Sequence, residues 1–321
     1  MRKLYWLFAI VGILALLVVT IAGNTSYGAK ISLSIAGISI QPSEFVKILF
    51  VFFVAGMLYQ DTSFQRVCVT TVIAAIHVLI LVASRDLGAA LLFFVTYVVM
   101  LYVATKKVLY FAGGLAAGSA ASVVAYHLFS HIRGRVRAWQ NPLAYIDKEG
   151  YQISQSLFAI GTGGWFGMGL YQGLPDKIPV VKQDFIFSAV SEELGGIFAL
   201  CLIMVCFSCF LMFLNIAMQM KDQFYKLVAL GLGTIYAFQV FLTIGGVTKF
   251  IPSTGVTLPL VSYGGSSLLS SMIIFAVIQG LYILRQDEGE INASKSRKNR
   301  QNRQNRKKTT GFENADIEKL S

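Results

Sequence analysis

Asp184 stands alone as an acid in Gln183-Asp184-Phe185-Ile186-Phe187, where a charged stretch runs into an apolar one. From His131 to Leu194 the chain is amphipathic and punctuated by glycine. It carries Arg133, Arg135 and Arg137 at its start and Lys148, Lys177 and Lys182 further on. Guanidinium groups fork onto phosphate oxygens and an ammonium adds a point charge. A carboxylate within hydrogen-bond reach of a hydroxyl can take its proton. These residue types suit chemistry on a lipid-linked anionic substrate, with cations holding a diphosphate and one acid at the lip of a membrane segment.

The elements that must position them are membrane helices. The 321 residues are 55% hydrophobic and 13% charged, with a mean hydropathy of +0.65, which excludes an ordinary soluble domain. Apolar runs near residues 4–22, 46–59, 67–83, 87–105, 108–129, 185–217, 227–247 and 266–284 approach the length that crosses a hydrocarbon core of roughly 30 Å. They predict an all-α, polytopic bundle of about eight spans over residues 1–285, with one long extracytoplasmic loop at 130–184. Residues 286–321 form a basic tail without apolar periodicity, read as disordered, cytoplasmic and able to rest on anionic membrane lipids.

Charge placement orients the spans. Arg66, Lys106, Lys107, Lys221 and Lys226 fall on or beside the short connections of one face, predicting both termini in the cytoplasm. The long loop escapes that rule. The net charge of +11 gathers in the tail and loops, so it gives no reason to expect nucleic acid. Cys68, Cys201, Cys206 and Cys209 all lie inside apolar runs and read as small buried hydrophobes, with no disulfide framework or metal set.

Several smaller features have both a plain and a functional meaning. Gln41-Pro42-Ser43-Glu44 opens a helix, and Glu44 and Lys47 sit one turn apart. A charged pair on a membrane helix is costly, which favours a structural or functional use. Asp86 is a cap or a site residue with equal weight. His77, His127 and His131 read as packing residues. Gly161, Gly163, Gly164, Gly167 and Gly169 lack the Lys-Ser/Thr ending of a phosphate loop. They suit tight turns or the close approach of a re-entrant segment to a helix. The serines of Ser262-Tyr263-Gly264-Gly265-Ser266-Ser267 read as helix packing.

Together these blocks resemble the shape, elongation, division and sporulation proteins, the FtsW/RodA/SpoVE group. The matching stretches include Gln41-Pro42-Ser43-Glu44-Phe45-Val46-Lys47, Asp86-Leu87-Gly88, Arg133-Gly134-Arg135-Val136 and Gln155-Ser156. Asp184-Phe185-Ile186-Phe187, Glu192-Glu193-Leu194-Gly195 and Pro252-Ser253-Thr254-Gly255-Val256-Thr257-Leu258-Pro259 follow in the same order. The resemblance covers roughly residues 24–284.

It implies a helical bundle that polymerises lipid II into glycan strands on the outer face of the bacterial cytoplasmic membrane, beside a class B penicillin-binding protein. It implies that Asp184 is the general base. Arg135 is the first choice to hold the leaving diphosphate and Lys47, oriented by Glu44, the second. Asp86, Gln155, Ser156 and Glu193 are further candidate substrate contacts. No cofactor is called for; a divalent cation could bridge the diphosphate, although no ligand cluster argues for one.

Relatives carry ten spans as a rule, and the motif order aligns the first span here with the third of theirs. The Lys-Arg-Trp usual near residue 30 is Lys30-Ile31-Ser32, and Lys182-Gln183 replaces a usual His-Thr. An ammonium at Lys182 would be expected to hold Asp184 ionised. Two other classes of function stay open at this level: a lipid II transporter, and a non-catalytic scaffold for a partner synthase.

Overall fold

A computed structural model describes residues 4–26, 29–35 and 38–286 of the chain. Its helices are α1 (Tyr5–Ala22), α2 (Pro42–Leu58), α3 (Phe64–Ala83), α4 (Leu87–Thr105), α5 (Val108–Leu128), α6 (Ser130–Gln140), α7 (Tyr151–Gly163), α8 (Ile186–Gln219) and α9 (Gln223–Val247). A last helix, α10, spans Gly265–Gln286. The basic tail beyond Gln286 lies outside the described residues.

Seven helices (α1, α3, α4, α5, α8, α9 and α10) are long and apolar enough to cross a membrane. The eighth expected span is α2, which is 17 residues long and carries Glu44 and Lys47. Pro42 occupies its first turn, where a missing N–H costs nothing, and Glu44 faces the positive end of the helix dipole. Almost every residue of α2 is buried, because α1, α3, α4 and α9 surround it. It is the central post of the bundle.

In lipid, burying an apolar side chain against another gains little, so helices associate through close packing and polar contacts. The structure shows both. A Cβ at Gly56 would stand 2.5 Å from Tyr5 Cβ, and one at Gly231 would stand 2.7 Å from Val51 and Met100. His77 is fully buried among Phe50, Phe53 and Phe93, with Nδ1 2.9 Å from the Ile73 carbonyl. That is the packing role the sequence suggested. All four cysteines are free.

Helix direction alternates, so the segments 23–41, 84–86, 129–185 and 248–264 gather on one face of the bundle. Strands β1 (Asn24–Ser26), β2 (Ala29–Ile35) and β3 (Ile38–Ile40) lie there as an antiparallel meander, with Asn24 opposite Ser32 and Leu33 opposite Ile40. The sequence reading placed no strand in this connection. The expected loop at 130–184 is largely structured: α6, α7 and two short 3-10 turns at Leu143–Tyr145 and Pro175–Lys177 occupy it.

Helix α8 breaks at Gly195, whose φ of 84° interrupts the hydrogen-bond ladder. A buried break must be satisfied by other backbone. Residues 164–169 do this: Met168 N–H donates to the Glu192 carbonyl at 2.9 Å and Gly169 N–H to the Glu193 carbonyl at 3.0 Å. In return, Gly196 N–H donates to the Gly164 carbonyl at 2.8 Å. The approach leaves no room for a side chain, since a Cβ at Gly167 would lie 2.2 Å from the Glu193 oxygen. This is the close approach that the run of glycines foretold.

Candidate active-site cleft

On the strand-bearing face, a cleft of about 750 Å³ opens between α6, the start of α4, the residues preceding α8 and the 253–257 loop. Asp184, Arg135 and Asp86 all line it, as do the exposed Arg137 and Lys148. Arg133, Lys177 and Lys182 do not line it. Arg133 instead covers the end of α5, its Nη1 donating to the His127 carbonyl at 2.6 Å.

Asp184 is positioned through its own backbone neighbours. The Ser262 hydroxyl donates to the Gln183 carbonyl, and Tyr263 N–H donates to the Lys182 carbonyl at 2.7 Å. Leu258 N–H in turn donates to Ser262 Oγ at 2.8 Å. The turn before α10 therefore clamps residues 182–183 just ahead of the acid. The plain packing role expected for Ser262 is too small. Ser266 and Ser267 also make specific bonds, the first accepting from Gln41 N–H at 3.0 Å and the second sharing a proton with Thr257 at 2.7 Å.

Arg135 sits on α6 and reaches across to the 253–257 loop, its Nη1 donating to the Ser253 carbonyl at 3.3 Å. Gly255 holds φ +73° beneath the pair, and a Cβ there would touch both Asp184 Oδ2, at 3.7 Å, and Arg135 Nη2, at 3.9 Å. Asp86 caps α4, accepting from Ala89 N–H at 3.1 Å, and receives the Ser43 hydroxyl at 3.3 Å. The cap allowed for Asp86 is present, and the residue also lines the cleft.

Burial sets the electrostatics. It pushes the Asp184 carboxyl up to about 6, against its own backbone N–H and Arg135, which favour the charged form. The cation that acts on Asp184 is Arg135; Lys182 is exposed and contributes no resolved field, so the expectation that Lys182 holds the acid ionised is corrected. Burial also raises Asp86 and lowers Arg135, and the two carboxylates pull the guanidinium back toward its charged form. His131 lines the cleft as well, and burial with the fields of Arg135 and Arg85 lowers its imidazole.

Five other expected contacts lie elsewhere. Lys47 is 2% exposed, donates to Glu44 at 2.5 Å and to Gln239 Oε1 at 2.9 Å, and has no face on the cleft. Glu44 also accepts from Ser270 at 2.8 Å, and the Gln239 amide donates to the Thr257 carbonyl at 3.0 Å. This buried chain ends on a cleft-lining residue, Thr257, so the pair supports the floor. Ser156 is sealed between α7, α8 and α9, 2.6 Å from Ser188 Oγ and 2.8 Å from the Val247 carbonyl. Glu193 gives its carbonyl to the 164–169 segment, and Gln155 is off the cleft while Gln152 lines it. Gln152, His131 and Thr254 are cleft residues that sequence reasoning missed; Thr254 sat in a quoted motif and Gln152 beside one. Among the described residues, no three His, Cys, Asp or Glu side chains gather as a metal set.

A polytopic bundle with an acid and a guanidinium lining one cleft at its end is the architecture of an integral membrane protein. Residues 1–286 match the profile of the FtsW/RodA/SpoVE family, described as cell cycle proteins, and the chain belongs to that family. It is 40% identical over 267 residues to the peptidoglycan glycosyltransferase RodA of Mycobacterium tuberculosis, covering 78% of this chain and 57% of that protein. It is 36% identical to the stage V sporulation protein E of Bacillus subtilis, covering 83% of this chain and 75% of that one. The chain thus spans little more than half the length of the RodA relatives it matches. Among solved structures, a chain of a peptidoglycan synthase complex that coordinates polymerization and crosslinking superposes with a TM-score of 0.73 at 22% identity, covering 89% of this chain and 82% of that chain. The rod shape determining protein RodA of Thermus thermophilus superposes with a TM-score of 0.63 at 22% identity, covering 86% and 77%. These likenesses fix the fold: a multi-pass, all-α membrane bundle.

Proposed function

We propose that this chain is a peptidoglycan glycosyltransferase that polymerises lipid II, with the cleft on the outer face of the cytoplasmic membrane and both termini inside. The observation that carries the reading is that Asp184 and Arg135 line one cleft of about 750 Å³ and both approach Gly255. The names of the RodA relatives point the same way.

The step needs three things. A sugar hydroxyl of one lipid-linked disaccharide attacks the anomeric carbon of another. The new glycosidic C–O bond forms as the bond to the prenyl diphosphate breaks, and the leaving group takes that bond's electron pair. Asp184 accepts the hydroxyl proton; a base whose pKa stands near 6 is ionised at neutral pH yet still basic enough to matter. Arg135, fixed by Ser253, presents a preformed cation to the diphosphate charge as it develops. The exposed Arg137 and Lys148 draw the anion in. A class B penicillin-binding protein is the expected partner, supplying cross-links to the strand.

Reconstitution with lipid II, alone and with such a partner, tests this. Asp184→Asn should lower polymer formation by about 10²–10⁴-fold, the range of a lost general base, with the monodisperse fold retained. Polymer formed by Asp184→Asn at the wild-type rate would overturn the proposal.

A further inference from the structure

Lys249 belongs to a different place from the cleft. It follows the end of α9 and holds φ +60°, the left-handed region. A side chain there carries strain that glycine would not. Its carbonyl accepts from Trp139 Nε1 at 3.1 Å, so α6 fixes this backbone. A lysine kept where glycine would be easier suggests that its side chain has a use.

That side chain borders a second cavity of about 580 Å³ between α7 and the corner after α6. Ser154, Leu157 and Phe158 contribute one face of α7, being three and four residues apart. Asn141 and Leu143 form the opposite wall. No carboxylate lines the cavity, and among the described residues the half-buried Lys249 makes no ion pair. The Ser154 hydroxyl is sealed from solvent and has no hydrogen-bond partner among the described residues, an arrangement that costs stability. Leu143 and Phe158 remain 62% and 49% exposed. The site therefore combines an unanswered positive charge and neutral polar groups with an open apolar wall. Because α9 ends two residues earlier, it sits at the level of the membrane interface, where lipid phosphates lie.

We propose that this cavity seats the headgroup of an anionic membrane phospholipid. Lys249 pairs with the phosphate, the Asn141 amide donates to the headgroup, and the first methylenes lie on Leu143, Leu157 and Phe158. The proposal does not depend on glycosyl transfer in the cleft.

Full-length chain in nanodiscs of phosphatidylcholine with a minor fraction of phosphatidylglycerol, followed by native mass spectrometry, tests it. Wild type should retain one phosphatidylglycerol in preference to phosphatidylcholine. Lys249→Glu should cut that retention roughly tenfold, whereas Lys249→Arg should keep it. Ala144→Trp, which fills the cavity without changing charge, should lose the lipid too. Lys177→Glu makes the same charge change on an exposed loop and should leave retention unchanged. Equal loss in Lys177→Glu and Lys249→Glu would mean diffuse attraction and overturn the proposal. So would undiminished retention in Ala144→Trp, which also decides the matter if Lys249→Glu fails to fold, or no preference in wild type.

Discussion

Asp184 is held where burial opposes its charge and Arg135 supports it, with burial the stronger influence. Two consequences follow from the sign of that balance. The acid limb of kcat/KM should fall below a pH of about 6, and Arg135→Ala should move the limb to higher pH, because it removes a group that lowers the Asp184 pKa. A pH–rate series on both proteins checks the direction. Stability runs the other way. A carboxyl raised in the folded state contributes most below its unfolded value of 3.8 and loses that contribution as pH rises through about 6. Asp184→Asn should therefore melt higher than wild type at pH 7.5, by about 1–3 kcal/mol, while losing activity. Thermal unfolding at pH 5 and pH 7.5 measures this; the gap should narrow at the lower pH. Sequence alone located Asp184, Arg135 and Asp86. It could not tell that Lys47, equally cationic, faces Gln239 rather than the cleft, because helix orientation about its own axis is set by all four neighbours of α2.

Elements decide which local rules prevail. In α2 the Glu44–Lys47 pair is buried, so removing one partner strands a charge. Lys47→Ala should cost about 3–5 kcal/mol, and the double change Glu44→Gln with Lys47→Met should recover most of it. Melting of the three proteins in detergent separates a structural pair from a merely exposed one, for which all would melt alike. In α8 the break at Gly195 is tied to the 164–169 segment by reciprocal backbone bonds. A Cβ at 195 would stand 2.4 Å from Gly167 N and 2.5 Å from the Trp165 carbonyl. Gly195→Ala should thus destabilise by about 3–5 kcal/mol and free that segment, seen as faster proteolysis between α7 and α8. The glycine run announced the close approach in advance. Gly195 stood only at the end of a motif with Gly196 behind it, and nothing in that pair says which glycine takes the positive φ. The strands went unread: Ile31-Ser32-Leu33-Ser34-Ile35 in β2 alternates with period two, but the segment is short and flanked by two much stronger helical signals.

At the scale of the whole molecule, span count and alternation place the cleft, the strands, the Lys249 cavity and the 253–257 loop on one face, and Lys106, Lys107 and Lys221 on the other. Hydropathy and charge foretold this arrangement because, in a bilayer, every helix must run nearly the full thickness. The interior of the 130–184 region followed no such constraint. Its folding depends on contacts with α8 and α9 that no local pattern encodes, such as Ser156 between Ser188 and Val247. The proposed orientation is open to direct labelling. The native cysteines lie within α3 and α8, inside the spans, so a membrane-impermeant maleimide should find little background. Gln172→Cys lies on the exposed connection before α8, and Gln60→Cys lies on the short turn between α2 and α3. In intact cells Gln172→Cys should react and Gln60→Cys should react only after permeabilisation. The reverse pattern would put Asp184 on the side of the membrane where no glycan is built, and the glycosyl-transfer reading would fall with it.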